Sequence, residues 1–214
     1  MEITFAFVRE GTADDGLVPH IRTLLIRSGA TSAVGAIRNY KGSTLERLAE
    51  VISETTPVDL IFVHRDSDKR DSEDRHREVN DAASSFPGYE NRIIPVVPVQ
   101  EMEAWLLCNG SEIREVVGRK KGKAELGLPP LRLIEGKSSP KEILELACLA
   151  ASETSGARHK RERKRFPQRR ANLLERLDID GDVRHLPSFS MFCENVEQAT
   201  KSLLAVKVES REDI

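Results

Sequence analysis

Cysteine is scarce in this chain: Cys108, Cys148 and Cys193 are the only three, and they lie far apart. An odd, scattered set argues against a disulfide framework and against a paired zinc-ligand motif, and it fits a reducing cytoplasm. Net charge is nearly absent as well. With 33 Lys and Arg against 35 Asp and Glu, the chain carries −2, so any pull on nucleic acid must come from local clusters rather than the overall field. No apolar run approaches the roughly 18 residues that a membrane span requires. The N-terminal "MEITFAFVRE" lacks the basic start, long apolar core and small-residue cleavage site of an export signal. The expectation is a soluble, cytoplasmic protein with no membrane partner. Repeats and low-complexity tracts are missing too, and the final "VESREDI" reads as a frayed end.

What remains is a pattern of alternating elements. At 214 residues the chain is long enough for one substantial domain, alone or with a smaller appendage. "EITFAFVR" reads as a strand, "LVPHIRTLLIRSG" as a helix closing at Gly29, and "TSAVGAIR" as a short strand. Ser43 caps the helix "STLERLAEVISET". "VDLIFVH" is apolar almost throughout, as suits a parallel strand covered on both faces. "EDRHREVNDAASSF" is a helix, "NRIIPVVPV" a fourth strand and "QEMEAWLLC" the helix after it. This alternation predicts an α/β domain over residues 1–108, with a mostly parallel, Rossmann-like sheet flanked by helices. Residues 109–214 hold no strand signal and read as a helical C-terminal portion, with helices at "SEIREVVG", "PKEILELACLAASET", "QRRANLLERLD" and "FSMFCENVEQATKSLL".

Acidic residues gather where such a sheet binds ligands, at the carboxyl ends of its strands. Glu10 follows the first strand, Asp66 and Asp68 follow the third, and Glu103 follows the fourth. Any one of them has the ordinary reading of a solvated loop residue. Four together suit a hard cation such as Mg²⁺ or Mn²⁺, which takes oxygen ligands and would relieve the repulsion between Asp66 and Asp68.

The same residues carry a resemblance. "VREG" after the first strand and "VDLIFVHRDSD" ending the third resemble the Toprim fold of primases, topoisomerases, recombination proteins, small RNA maturases and the overcoming-lysogenization-defect nucleases. "IIPVVPVQEMEAWLL", "SPKEIL" and "LPSFSMF" resemble, more narrowly, a standalone bacterial Toprim-like family of unassigned function met in defence gene neighbourhoods. The resemblance implies that Glu10 is a metal ligand or general acid/base and that Gly11 turns its loop. It further implies that Asp66 and Asp68 bind metal and that Glu103 adds a contact. Where the usual loop has Ser or Thr before its Asp, this chain has Ala13 before Asp14 and Asp15, so Asp14 is read as a helix cap. The implied activity is metal-dependent hydrolysis of phosphodiesters in DNA or RNA, in antiviral defence with an ATPase partner.

Cations complete the picture. Lys141 opens the helix "PKEIL", where a proline start leaves free amides that could receive a phosphate; a solvated first-turn lysine is the competing reading. Residues 157–170, "ARHKRERKRFPQRR", hold eight Lys and Arg with one Glu. Arg161, Arg163, Lys164 and Arg165 are the candidates for contact with a nucleic-acid backbone, against the alternative of a solvated linker. "GRKKGK" at residues 118–123 is a weaker second patch, and neither run has the aromatics of a base-stacking platform. Trp105, with Met102 and Leu106, is expected to pack on the sheet. His64 has the features of a satisfied structural histidine, and Cys108 and Cys193 those of small buried hydrophobes.

Three rivals stand beside the nuclease. A haloacid-dehalogenase-type phosphatase wants Thr or Val where Arg70 stands. A topoisomerase, ligase or primase needs a nucleophilic tyrosine or nucleotide-handling residues, and Tyr40 and Tyr89 lie in no such motif. The third is a catalytically inactive scaffold that binds an ATPase or nucleic acid without cutting.

Overall fold

Four strands, each followed by a helical connection, wind into one sheet. The structure, a computed structural model, describes residues 1–68 and 71–212, with side chains through residue 209; Lys69 and Arg70 therefore lie outside the described residues. β1 (Glu2–Val8), β2 (Ser32–Arg38), β3 (Leu60–His64) and β4 (Ile93–Val96) are all parallel in the order β2-β1-β3-β4. Their connections are α1 (Val18–Arg27), α2 (Thr44–Ile52) and α3 (Glu73–Ser84). The sheet is thus α/β and parallel, as the alternating pattern predicted.

Period-two alternation sends the two faces of β1 to different cores. Ala6 and Val8 meet Leu48 and Val51 of α2 and Val79 of α3. Ile3, Phe5 and Phe7 join Ile21 and Leu25 of α1 and the aromatic cluster Trp105, Phe189 and Phe192. β3 is buried at every residue, which accounts for its unbroken apolar sequence.

The outer strands carry their own protection. On β2, Arg22 Nε donates to the Ala33 carbonyl at 3.0 Å and Arg38 to the Ile37 carbonyl at 3.4 Å. On β4, Pro95 removes one backbone N–H. Each device leaves fewer free groups for another strand to pair with.

Beyond the sheet come α4 (Glu103–Leu106), α5 (Gly110–Val117), α6 (Pro140–Ser152), α7 (Gly156–Lys164), α8 (Phe166–Glu175) and α9 (Pro187–Glu212). Residues on both sides of Cys108 share the larger core, where Phe62 of β3 meets Phe192 of α9 edge-on at 6.4 Å and Phe5 of β1 at 5.5 Å. Trp105 is fully buried, stacked on Phe192, and donates from its indole to Ser188 Oγ at 2.8 Å.

Three expectations change. The helix at "QEMEAWLLC" shrinks to the single turn α4, because Gln100 takes a left-handed φ of +66° and turns the chain just before it. The basic run is no linker: it forms α7 and the start of α8. Arg and Lys are good helix formers, and Pro167, in the first turn of α8, forces the break between the two. The stretch expected to fray continues as helix to Glu212, while Asp213 and Ile214 lie outside the described residues.

Candidate functional site

Because β1 sits between β2 and β3, the chain winds outward in opposite directions from it, and a crevice opens at the carboxyl ends of β1 and β3. Three loops meet there. The β1 loop runs through Glu10 and Gly11 into a 3-10 turn over Thr12–Leu17. The β3 loop brings Asp66, and the segment after β4 brings Glu101 and Glu103. With Lys141 of α6 and Phe166, Pro167 and Arg170 of α8, they enclose a pocket of about 290 Å³.

Glu10 and Asp66 meet directly. Glu10 Oε2 accepts the backbone N–H of Asp66 at 2.8 Å. Asp66 Oδ1 in turn accepts the Met102 amide at 3.0 Å and lies 3.1 Å from His64 Nε2. His64 is fully buried, and its Nδ1 stands 3.2 Å from Asp14 Oδ2, an ion-pair contact without good hydrogen-bond alignment. Asp14 Oδ2 also accepts the Gly11 amide at 3.0 Å, while Oδ1 receives Arg170 at 2.7 Å. Arg170 then donates from Nε to Glu103 Oε1 at 3.1 Å and from its remaining arm to the Ala13 carbonyl. One chain of charges, Asp66, His64, Asp14, Arg170, Glu103, therefore underlies the pocket with alternating sign.

Alternation sets the protonation states. Burial works against a charged His64, yet its contacts to Asp14 and Asp66 outweigh that and hold it up at about 9. Burial likewise opposes ionised Asp14, but His64 and Arg170 keep it well below the usual carboxylate range. Burial raises Glu101; the neighbouring charges of Glu103 and Asp66 add to this, and the Lys141 amide, donating to Glu101 Oε2 at 3.2 Å, offsets part of it.

Of the four expected metal ligands, the fold brings Glu10 and Asp66 together with an open pocket between their loops. Asp68 is turned away. It adopts a left-handed φ of +54°, pairs with Arg75 at 3.1 Å, and lines a neighbouring cleft of about 400 Å³ with Gln100, Glu101, Ser139 and Lys141. Glu103 borders the pocket, but Arg170 holds it. The repulsion that a shared cation was expected to relieve is met by the protein itself, Asp66 finding His64 and Asp68 finding Arg75. Among the described residues no group of three or more His, Cys, Asp and Glu side chains is arranged to hold a metal.

The cations also sort themselves. Lys141 lines both the pocket and the cleft, although its own amide is committed to Glu101. Arg163 pairs with Glu145 at 2.9 Å and Arg165 with Glu162 at 2.7 Å. Arg161 and Lys164 are exposed and make no ion pair with any described residue. Asp14 does cap, through the Gly11 amide, but it caps the 3-10 turn and is also the centre of the charge chain. Sequence reasoning missed Glu101 and Arg170. The i, i+2 repeat of acids in "QEMEAW" was a signal for the first; the second was hidden among seven other basic residues.

No family model matches the chain, and no curated protein or solved structure does either. No helix among the described residues is long and apolar enough to cross a membrane.

Proposed function

We propose that this is a Toprim-like hydrolase that cleaves nucleic-acid phosphodiesters with a divalent metal. The observation that carries the reading is the Glu10 carboxylate seated on the Asp66 amide at 2.8 Å, two residues 56 positions apart brought into one pocket at the sheet's crevice. Mg²⁺ and Mn²⁺ are commonly held by one or two carboxylates, with water and substrate phosphate completing the shell. Glu10 and Asp66 suit that: Oε1 of the first and Oδ2 of the second have no hydrogen-bond partner among the described residues. A bound ion supplies Lewis acidity toward a phosphoryl oxygen and an activated water. The chain's own part is to hold Asp66 oriented through His64 and the Met102 amide. Lys141 stands at the rim to meet phosphate charge, and Arg170 keeps Glu103 and Asp14 neutralised behind the pocket.

A second reading has its own support. Asp68 and Glu103 are already neutralised by arginines, as suits a scaffold that binds nucleic acid or an ATPase partner without cutting. Purified protein incubated with single- and double-stranded DNA and with tRNA, in Mg²⁺ or Mn²⁺, separates the two. The hydrolase reading expects cleavage abolished by EDTA and at least about 100-fold slower in Glu10→Gln and Asp66→Asn. Equal rates in wild type and variants, or no cleavage of any substrate, would sink it; the latter leaves the scaffold.

A further inference from the structure

The two basic segments, residues 118–123 and 157–170, are brought to one corner of the fold. Glu153, the left-handed residue that ends α6 (φ +50°), receives the Lys123 and Ala124 amides on Oε1 at 2.8 and 3.1 Å. That carboxylate fastens the loop at residues 119–124 to the corner from which α7 departs three residues later. α7 then runs about 13 Å with no buried residue. Its far end delivers Phe166 and Pro167 into the wall of the pocket. On the way, Arg163 is tied to Glu145, which lines the cleft shared with Lys141 and Asp68. Loop, helix, cleft and pocket are thus consecutive neighbours.

Charges along this path are unevenly committed. Lys120 is held by Glu115, Arg163 by Glu145 and Arg165 by Glu162. Lys121, Lys123, Arg158, Lys160, Arg161 and Lys164 have no ion pair with any described residue. A helix that buries none of its residues gains nothing from its own fold by keeping so many unpaired like charges, which repel one another. A polyanion would relieve that repulsion and release its own counterions in doing so.

We propose that residues 119–123 and α7 form one continuous band that binds the phosphate backbone of double-helical nucleic acid and leads it to the Glu10–Asp66 pocket. The proposal rests on the nucleic-acid reading above and adds where the substrate lies and in what form. Duplex is favoured over single strand because the band holds no Phe, Tyr or Trp for bases to stack on: its one ring is the His159 imidazole, and Phe166, just beyond α7, is buried.

The test is binding rather than cleavage. Fluorescence anisotropy with a labelled 20-base-pair duplex, without divalent metal, is run across 50–200 mM salt for the full chain and for Arg158→Gln/Lys160→Gln/Arg161→Gln. All three positions are exposed, and an unchanged circular-dichroism melt confirms the variant's fold. The expected result is at least about 30-fold weaker binding by the variant at 100 mM salt, with a log–log salt slope shallower by about 2 to 3. Variant binding equal to wild type, no wild-type binding at 50 mM salt, or a single strand of equal length bound 10-fold tighter would each overturn the band. Arg77→Gln, equally exposed but on α3 and outside the band, should bind the duplex like wild type. Salt-dependent duplex binding without any cleavage would therefore remove the hydrolase and leave the band; cleavage with an inert α7 would do the reverse.

Discussion

Charged residues are put to opposite uses in two parts of this molecule. Beneath the pocket, Asp66, His64, Asp14, Arg170 and Glu103 alternate in sign, and all but the part-exposed Asp66 satisfy one another out of water. On α7, basic side chains stand in solvent, and Arg158, Lys160, Arg161 and Lys164 have no ion pair with any described residue. Buried charges must be paired to be tolerated, whereas exposed ones are held apart by water and salt at little cost. The first group, Asp66 at its pocket end excepted, is therefore committed to architecture and the second is free for a ligand.

The sharpest way to break that contrast is to remove the cation both buried carboxylates share. Arg170→Ala leaves Glu103 with no counter-charge and Asp14 with His64 alone, and is expected to destabilise the fold by about 3–5 kcal/mol. Arg161→Ala, nine residues earlier in the same basic run, should leave the thermal midpoint unchanged. Paired melting curves decide this: an Arg170→Ala midpoint within a degree of wild type would mean that the buried chain contributes nothing net.

A pH titration makes the next cut. His64 titrates at about 9 in the folded protein against about 6.5 unfolded. Its contribution is fully present below pH 6.5 and fades as pH rises toward 9, a loss on the order of 2–3 kcal/mol. Urea midpoints should fall over pH 6.5–8.5 in wild type and stay nearly level in His64→Gln. Above that window the thiols, buried at Cys148 and Cys193 and half-buried at Cys108, add a loss of their own. Burial pushes Cys108 up to about 12 and Cys148 and Cys193 to about 11, so the unfolded chain ionises first. Parallel pH profiles for wild type and His64→Gln below pH 8.5 would show that the imidazole is not the group responsible.

The two regions were not equally legible beforehand. Sheet strands announced themselves because β3 is apolar at nearly every position and "NRIIPVVPV" repeats the pattern, and strand ends located Glu10 and Asp66. α7 gave no periodic signal, since a helix that buries nothing has no apolar stripe to detect. Arg170 looks like any other member of its run; only the folded chain shows that α8 turns this one inward. Asp68 misled for a backbone reason. An Asp-x-Asp pair aims both carboxylates at one point only in certain conformations, and a left-handed φ at a non-glycine residue is too uncommon to anticipate.

That backbone twist yields the smallest expected effect and the finest test of the division between committed and free charge. Arg75 fastens the β3 loop twice, from Nε to the Asp66 carbonyl at 3.2 Å and from its terminal nitrogen to Asp68 at 3.1 Å; a third bond ties it to Glu78 at 2.7 Å. Asp68 therefore supports Asp66 by steadying the loop on which it sits, and outright loss of such a contact costs about 10- to 100-fold in rate. Asp68→Asn keeps a hydrogen-bond acceptor toward Arg75 and should retain most cleavage, while Asp66→Asn should lose nearly all of it. Should Asp68→Asn prove as inactive as Asp66→Asn, with an unchanged melt, the loop must swing Asp68 into the pocket during turnover, and the separation of the two aspartates would describe only the resting protein.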